Sequence, residues 1–198
     1  MMRQIDEGLV PMAAAMTDAR DFLRLGGGSD DAALSRALMS ASALCEAFTG
    51  VALVSRAVRE ILPVSGDWQR LGRTPVVAIT AVDGLPAEGS GFPLPVGAYA
   101  IDIDAGGDGW LRIMQPGAAG RVRVTYMAGI AATPDLVPEP LRHGIIQLAG
   151  HLLRERDRER RDGPGSEPPA SVVALWRPWR RMRLHTPTHA GAAPEWRP

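Results

Sequence analysis

Apolar residues recur along this chain with two different periods, and the changes of period divide it into helical and strand-forming stretches. Leu34, Leu38, Ala41, Cys45 and Phe48 are spaced four, three, four and three, which lays one stripe along a helix face that Gly50 then stops. Thr17 is placed to cap a shorter helix ahead of it, ended by Gly26-Gly27-Gly28, and Ser29 or Asp30 to cap the striped one. Leu141, Ile145, Leu148 and Leu152 repeat the four-three-four spacing after Pro138-Glu139-Pro140, and Ile146, Ala149 and Leu153 widen that face. Two such stripes can pack together. Between them the period falls to two or to short β-branched runs: Pro75 to Val82, Tyr99 to Asp104, Gly109 to Met114 and Arg121 to Tyr126 read as strands. Val51 to Leu62 fits either strand or helix. The expected fold class is α+β: a mainly helical subunit with a small antiparallel β insertion at about 63–129 and an extended C-terminal tail.

The third helical pattern runs from Glu139 to Arg161, and its last octapeptide, Arg154 to Arg161, has no apolar face. Gly163-Pro164-Gly165 breaks it. The segment that follows, Pro168 to Leu184, holds Trp176, Arg177, Trp179, Arg180, Arg181 and Arg183, and is too short and too cationic to build a core of its own. Trp and Arg bury large areas at modest entropic cost and dominate interface hot spots, so this segment is expected to dock on a foreign surface. The alternative is that Trp176 and Trp179 fold back onto their own domain. Thr186 to Pro198 has the composition of a disordered tail.

Composition changes this picture in one respect. Every one of the 22 basic residues is Arg, which fits a GC-rich coding sequence, and they are unevenly placed. Residues 1–110 carry 14 acids against 8 Arg, a balance of −6, and residues 111–198 carry 8 acids against 14 Arg, a balance of +6. Such a dipolar subunit can associate head to tail. The single Cys45, on an apolar helix position, reads as a small buried hydrophobe in a reducing compartment. Asp6 and Glu7 precede any apolar run and Pro11 interrupts the next one, which argues against a signal peptide; no uncharged apolar run approaches the roughly 20 residues of a membrane span.

The residues of catalysis are not found at working spacings. Asp102, Asp104 and Asp108 suggest a calcium loop, but Gly106 stands at the third ligand position and Ile113 where the closing carboxylate should be, so a strand end and tight turn is expected. His143 and His151 lie eight apart on one helix, too far to share a metal, and neither has a nucleophile at a recognisable distance. Gly89-Ser90-Gly91 lacks the spacing of a nucleophile elbow, and Gly26-Gly27-Gly28-Ser29 lacks the Lys of a phosphate loop. No catalytic, metal or cofactor site is expected. Arg177, Arg180, Arg181 and Arg183 could instead sit on phosphates with the two Trp stacking on bases, so a small DNA-binding protein is the alternative reading.

The order of elements carries a further signal. Ala-Leu-Cys-Glu-Ala-Phe-Thr-Gly (43–50), Arg-Thr-Pro-Val-Val-Ala-Ile (73–79), Tyr-Ala-Ile-Asp (99–102), Arg-Val-Thr-Tyr-Met-Ala-Gly (123–129), Val-Pro-Glu-Pro-Leu-Arg (137–142) and Leu-Leu-Arg-Glu-Arg (152–156) follow one another as in the head-tail connector (adaptor) proteins of tailed bacteriophages and gene transfer agents. The closing Val-Val-Ala-Leu-Trp-Arg-Pro-Trp-Arg-Arg-Met-Arg-Leu (172–184) also resembles that family's C-terminal signature. The match covers roughly residues 17–184, and the expected division of the chain is an N-terminal arm (1–16), a helical connector domain (17–162) and a C-terminal docking segment and tail (163–198). The resemblance implies a dodecameric ring of copies beneath the portal protein, a tail-side stopper or tail terminator protein on the other face, and a channel through which DNA passes without sequence-specific binding. Its place would be the head-tail interface of a phage-like particle assembled in the bacterial cytoplasm. Trp176, Arg177, Trp179, Arg180, Arg181, Arg183 and Leu184 then become portal-docking residues.

Overall fold

The computed structural model describes residues 4–7, 14–24, 31–162 and 169–181. In chain order it runs β1 (Gln4–Glu7), α1 (Ala14–Leu23), α2 (Asp31–Thr49), β2 (Arg56–Pro63), β3 (Gln69–Arg70), β4 (Val76–Leu85), β5 (Phe92–Pro93), β6 (Tyr99–Ile103), β7 (Gly109–Ile113), β8 (Arg121–Ala128), α3 (Glu139–Asp162) and α4 (Ala170–Trp176). The triple-glycine stop, the Ser29 or Asp30 cap, the Gly163-Pro164-Gly165 breaker and the tail from Thr186 lie outside the described residues. Thr17 falls inside α1 rather than at its cap.

The two helical stripes do meet. Leu34, Leu38, Ala41 and Cys45 of α2 pack in one buried cluster with Leu141, Ile145, Leu148 and Ala149 of α3, joined by Ala19 of α1 and by Val172 and Trp176 of α4. Spacing alone requires this, since each helix otherwise leaves an apolar stripe in water. Cys45 is fully buried there, and burial followed by the neighbouring Glu46 charge drives its thiol well above the ordinary range. A thiol-specific reagent such as DTNB should leave the folded protein unlabelled at neutral pH and titrate one thiol after denaturation. Labelling of the native chain would show that α2 and α3 open on that timescale.

The second core lies between two antiparallel sheets, one in the order β1-β2-β8-β4-β5 and one in the order β3-β7-β6. Val58, Leu62, Val122, Val124 and Tyr126 from the inner face of the larger sheet bury against Leu71, Leu111 and Ile113 from the smaller. The alternation in β8 is strict, Val122, Val124, Tyr126 and Ala128 inward and Arg121 and Arg123 outward, because a side chain two residues on returns to the same face. In β2 the inward set is Arg56, Val58, Glu60 and Leu62, so two charged residues point into the protein. Both are provided for. Arg56 makes a two-pronged pair with Glu46 of α2, at 2.8 and 2.7 Å, and Glu46 also accepts from the Leu53 backbone N–H at 2.8 Å. Glu60 accepts from the Tyr126 hydroxyl at 2.9 Å and the Gly72 N–H at 2.8 Å. The first of these joins the helices to the sandwich.

This architecture corrects the expectation of a mainly helical subunit with a small β insertion. The fold is α+β, but the strands build two packed sheets with their own core, and β1 brings residues of the expected N-terminal arm into the larger sheet. Where the lobes join, Gly129 lets the chain leave β8 against the backbone of Ser55; a Cβ there would stand 2.3 Å from Ser55 N.

Candidate functional site

The C-terminal segment docks first on its own subunit. Pro169 opens α4 with its carbonyl accepting from the N–H groups of Val172 and Val173, and Pro178 is tolerated because it lies in the first turn of a 3-10 helix, Arg177–Trp179. Val172 and Trp176, four apart, are both buried on one side of α4. The Trp176 indole lies 6.1 Å from the Phe48 ring of α2, centroid to centroid, and donates its Nε1–H to the Leu141 carbonyl of α3 at 3.4 Å. Gly144 makes the notch that admits it: a Cβ there would stand 2.3 Å from the indole nitrogen. Trp176 is 3% exposed, so it cannot stack on nucleic-acid bases from this position, and the DNA-binding reading loses one of its two platforms. Trp179 is half-buried against the same core.

The segment then crosses to the β lobe. Arg181 donates its backbone N–H to the Thr49 carbonyl at 2.8 Å, satisfying an orphan acceptor at the end of α2. Its guanidinium Nη1 donates to Thr74 Oγ1 at 2.9 Å and to Asp108 Oδ1 at 3.2 Å. Asp108 is held there by Arg70, at 2.7 Å, and by the Thr74 hydroxyl at 2.8 Å. The Asp102–Gly109 run that suggested a calcium loop is the β6–β7 hairpin. Asp104 accepts the Trp110 indole N–H at 3.0 Å and the Asp108 backbone N–H at 2.9 Å, and these bonds, the Trp110 one foremost, hold its carboxyl below the usual range. Among the described residues no group of three His, Cys, Asp or Glu could hold a metal.

The portal-docking set proposed from sequence is therefore split. Trp176 and Arg181 are turned inward as anchors and Trp179 half inward. Arg177 and Arg180 are exposed, with Arg180 over the face of Phe48 at 5.6 Å. Arg183 and Leu184 lie outside the described residues. The anchoring partners Gly144, Thr74 and Asp108 were not singled out as anchors from sequence. A glycine in the interior of a helix's apolar face, as at 144, is the one signal that marked a close approach. His143 is tied to Gln147 at 2.8 Å and faced edge-on by Phe22 at 5.4 Å, a helix-surface arrangement. Replacing Arg181 with Ala should cost about 1–2 kcal/mol, since it removes charge-assisted bonds that are partly exposed. Urea denaturation checks this, and an unchanged midpoint would mean that the strap is held by Trp176 alone.

The fold thus has two small cores and a C-terminal strap fastened at Trp176 and Arg181, with Arg177 and Arg180 facing outward. No family model matches the chain, and no curated protein matches it. Solved structures do. A chain of the neck of an empty gene transfer agent particle, computed with C6 symmetry, is 30% identical and superposes with a TM-score of 0.74 over 94% of this chain and 99% of that one. A chain of the native particle's neck, computed with C12 symmetry, is 29% identical with a TM-score of 0.69, and one from the native virion is 29% identical with a TM-score of 0.66, each with the same two coverages. The chain belongs with the neck-type structural proteins of gene transfer agent and phage-like particles.

Proposed function

We propose that this chain is a head-tail connector (adaptor) subunit: copies form a ring that joins the portal to the tail-side stopper or terminator and leaves a channel for DNA. The observation that carries the reading is the nearly full-length likeness to neck chains in particles of cyclic symmetry, combined with a C-terminal strap fixed on both lobes up to Arg181. In this reading the residues from 163 onward form the docking segment on the 17–162 body. Arg177, Arg180, Arg183 and Leu184 meet the portal, Trp179 contributes its outer edge, and Trp176 and Arg181 aim them from within. One docking segment offers only a few side chains and binds weakly, whereas twelve on a ring like that of the C12 neck act at high effective concentration. Cells lacking the chain should accumulate filled heads and separate tails, counted by electron microscopy. Joined particles at wild-type yield would overturn the reading.

A further inference from the structure

The ring reading demands two different surfaces on every subunit, because a cyclic assembly is built head to tail, and in a twelve-fold ring those surfaces point roughly 150° apart. The β sandwich offers such a pair. Its inner faces are buried against each other, so the outer face of the larger sheet and the outer face of the smaller look in nearly opposite directions.

The two outer faces differ in sign and chemistry. On the larger sheet, Arg59, Arg121 and Arg123 stand in register across β2 and β8, where Pro63 faces Arg121 and Ile61 faces Arg123. Asp83 of β4 stands opposite Arg123 and Asp6 of β1 opposite Arg59, which leaves three Arg against two acids on this face, and no ion pair joins Arg123 to Asp83. Exposed Val77 adds an apolar spot to the same sheet. On the smaller sheet, Trp110 and Arg112 of β7 face outward opposite Asp102 and Ala100 of β6. Trp68 is 42% exposed and lies over the Arg112 guanidinium at 4.8 Å, and Asp67 beside it is exposed. Asp108 is neutralised by Arg70 and Arg181, but Asp67 and Asp102 have no ion pair with a described residue, and Asp104 is held chiefly by N–H donors, with the Arg70 charge a smaller influence.

We propose that these two faces are halves of one interface between neighbouring copies: the Trp68 and Asp102 face of one subunit seats on the Arg59 and Arg123 face of the next, so that the ring is closed sandwich against sandwich. The proposal rests on the ring reading above. A half-exposed Trp stacked on an Arg and flanked by carboxylates is the make-up of an interface anchor, and a basic sheet face is its complement. DNA would be served by the Arg face but repelled by the acidic one. A second copy uses both.

The full-length chain carrying Trp68→Cys with Arg123→Cys, expressed in producing cells, allows a direct test, since buried Cys45 stays silent. Purified particles are treated with a bis-maleimide and run on a denaturing gel probed for the chain. The expected result is a ladder climbing beyond dimer, with only monomer from either single substitution; Arg59→Cys with Asp102→Cys is the second pair and should give the same ladder. Monomer alone from both pairs, in particles that contain the chain, would overturn this interface and leave the connector reading standing. Dimers that stop at two from a single substitution would also overturn it, because they would mean that like faces meet. Wild-type chain missing from purified particles would instead bring down the connector reading itself.

Discussion

Replacing Trp176 with Ala should lower the unfolding free energy by about 3–5 kcal/mol, the usual cost of truncating a buried Trp. The ring lies between Phe48, the Leu141 carbonyl and the Gly144 notch, and its loss opens a cavity where α4 meets α2 and α3. Denaturant unfolding followed by Trp fluorescence or circular dichroism measures this. Gly144→Ala approaches the same contact from the other side: the added methyl stands 2.3 Å from the indole nitrogen, so it should cost about 1–3 kcal/mol by forcing the ring aside. In the double variant the two penalties should fall short of their sum, because once the ring is gone the methyl has nothing to strike. Full additivity would mean that Trp176 does not occupy the notch. Any loss of portal binding by Trp176→Ala has to be compared with this loss of stability before it is assigned to a direct contact.

Two truncations should have opposite effects on the fold and the same effect on assembly. Ending the chain after Arg181 keeps Val172, Trp176 and the Thr49 and Asp108 bonds, so the protein should unfold with an unchanged midpoint while filled heads are no longer joined to tails. Ending it after Pro169 strips Val172 and Trp176 from the helical core and should leave a chain that unfolds at far lower denaturant or aggregates. Sequence alone suggests that everything from residue 163 is a docking segment and tail separate from the body; the burial of Val172 and Trp176 ties the part up to Arg181 to the helical core. Wild-type yields of joined particles from the shorter cut would remove the docking role of the residues beyond it.

What was legible follows from what each element buries. The stripes of α2 and α3 are long and regular, and the strands at Val76–Leu85, Tyr99–Ile103, Gly109–Ile113 and Arg121–Ala128 carry β-branched or alternating residues. Strand β2 was ambiguous because its inward positions include Arg56 and Glu60, whose partners Glu46 and Tyr126 lie 10 and 66 residues away, so the binary pattern looked broken. β3 and β5 are two residues each, too short for any period, so the β3 edge of the smaller sheet and the β5 edge of the larger could not be inferred. α4 was hidden by its flanking prolines and by a composition that reads as tail. The proposed docking residues rest on residue type, and type cannot tell an inward Trp from an outward one. Trp176 and Trp179, three apart, differ because one meets a glycine notch and the other does not.

The strap's attachment also fixes the order in which it would yield. Tension applied from beyond Arg181 reaches the Thr49 carbonyl and the Asp108 carboxylate before any of it reaches Trp176. The polar clasp at the junction of the lobes is therefore the first attachment to bear such a load, and the hydrophobic plug behind it the second.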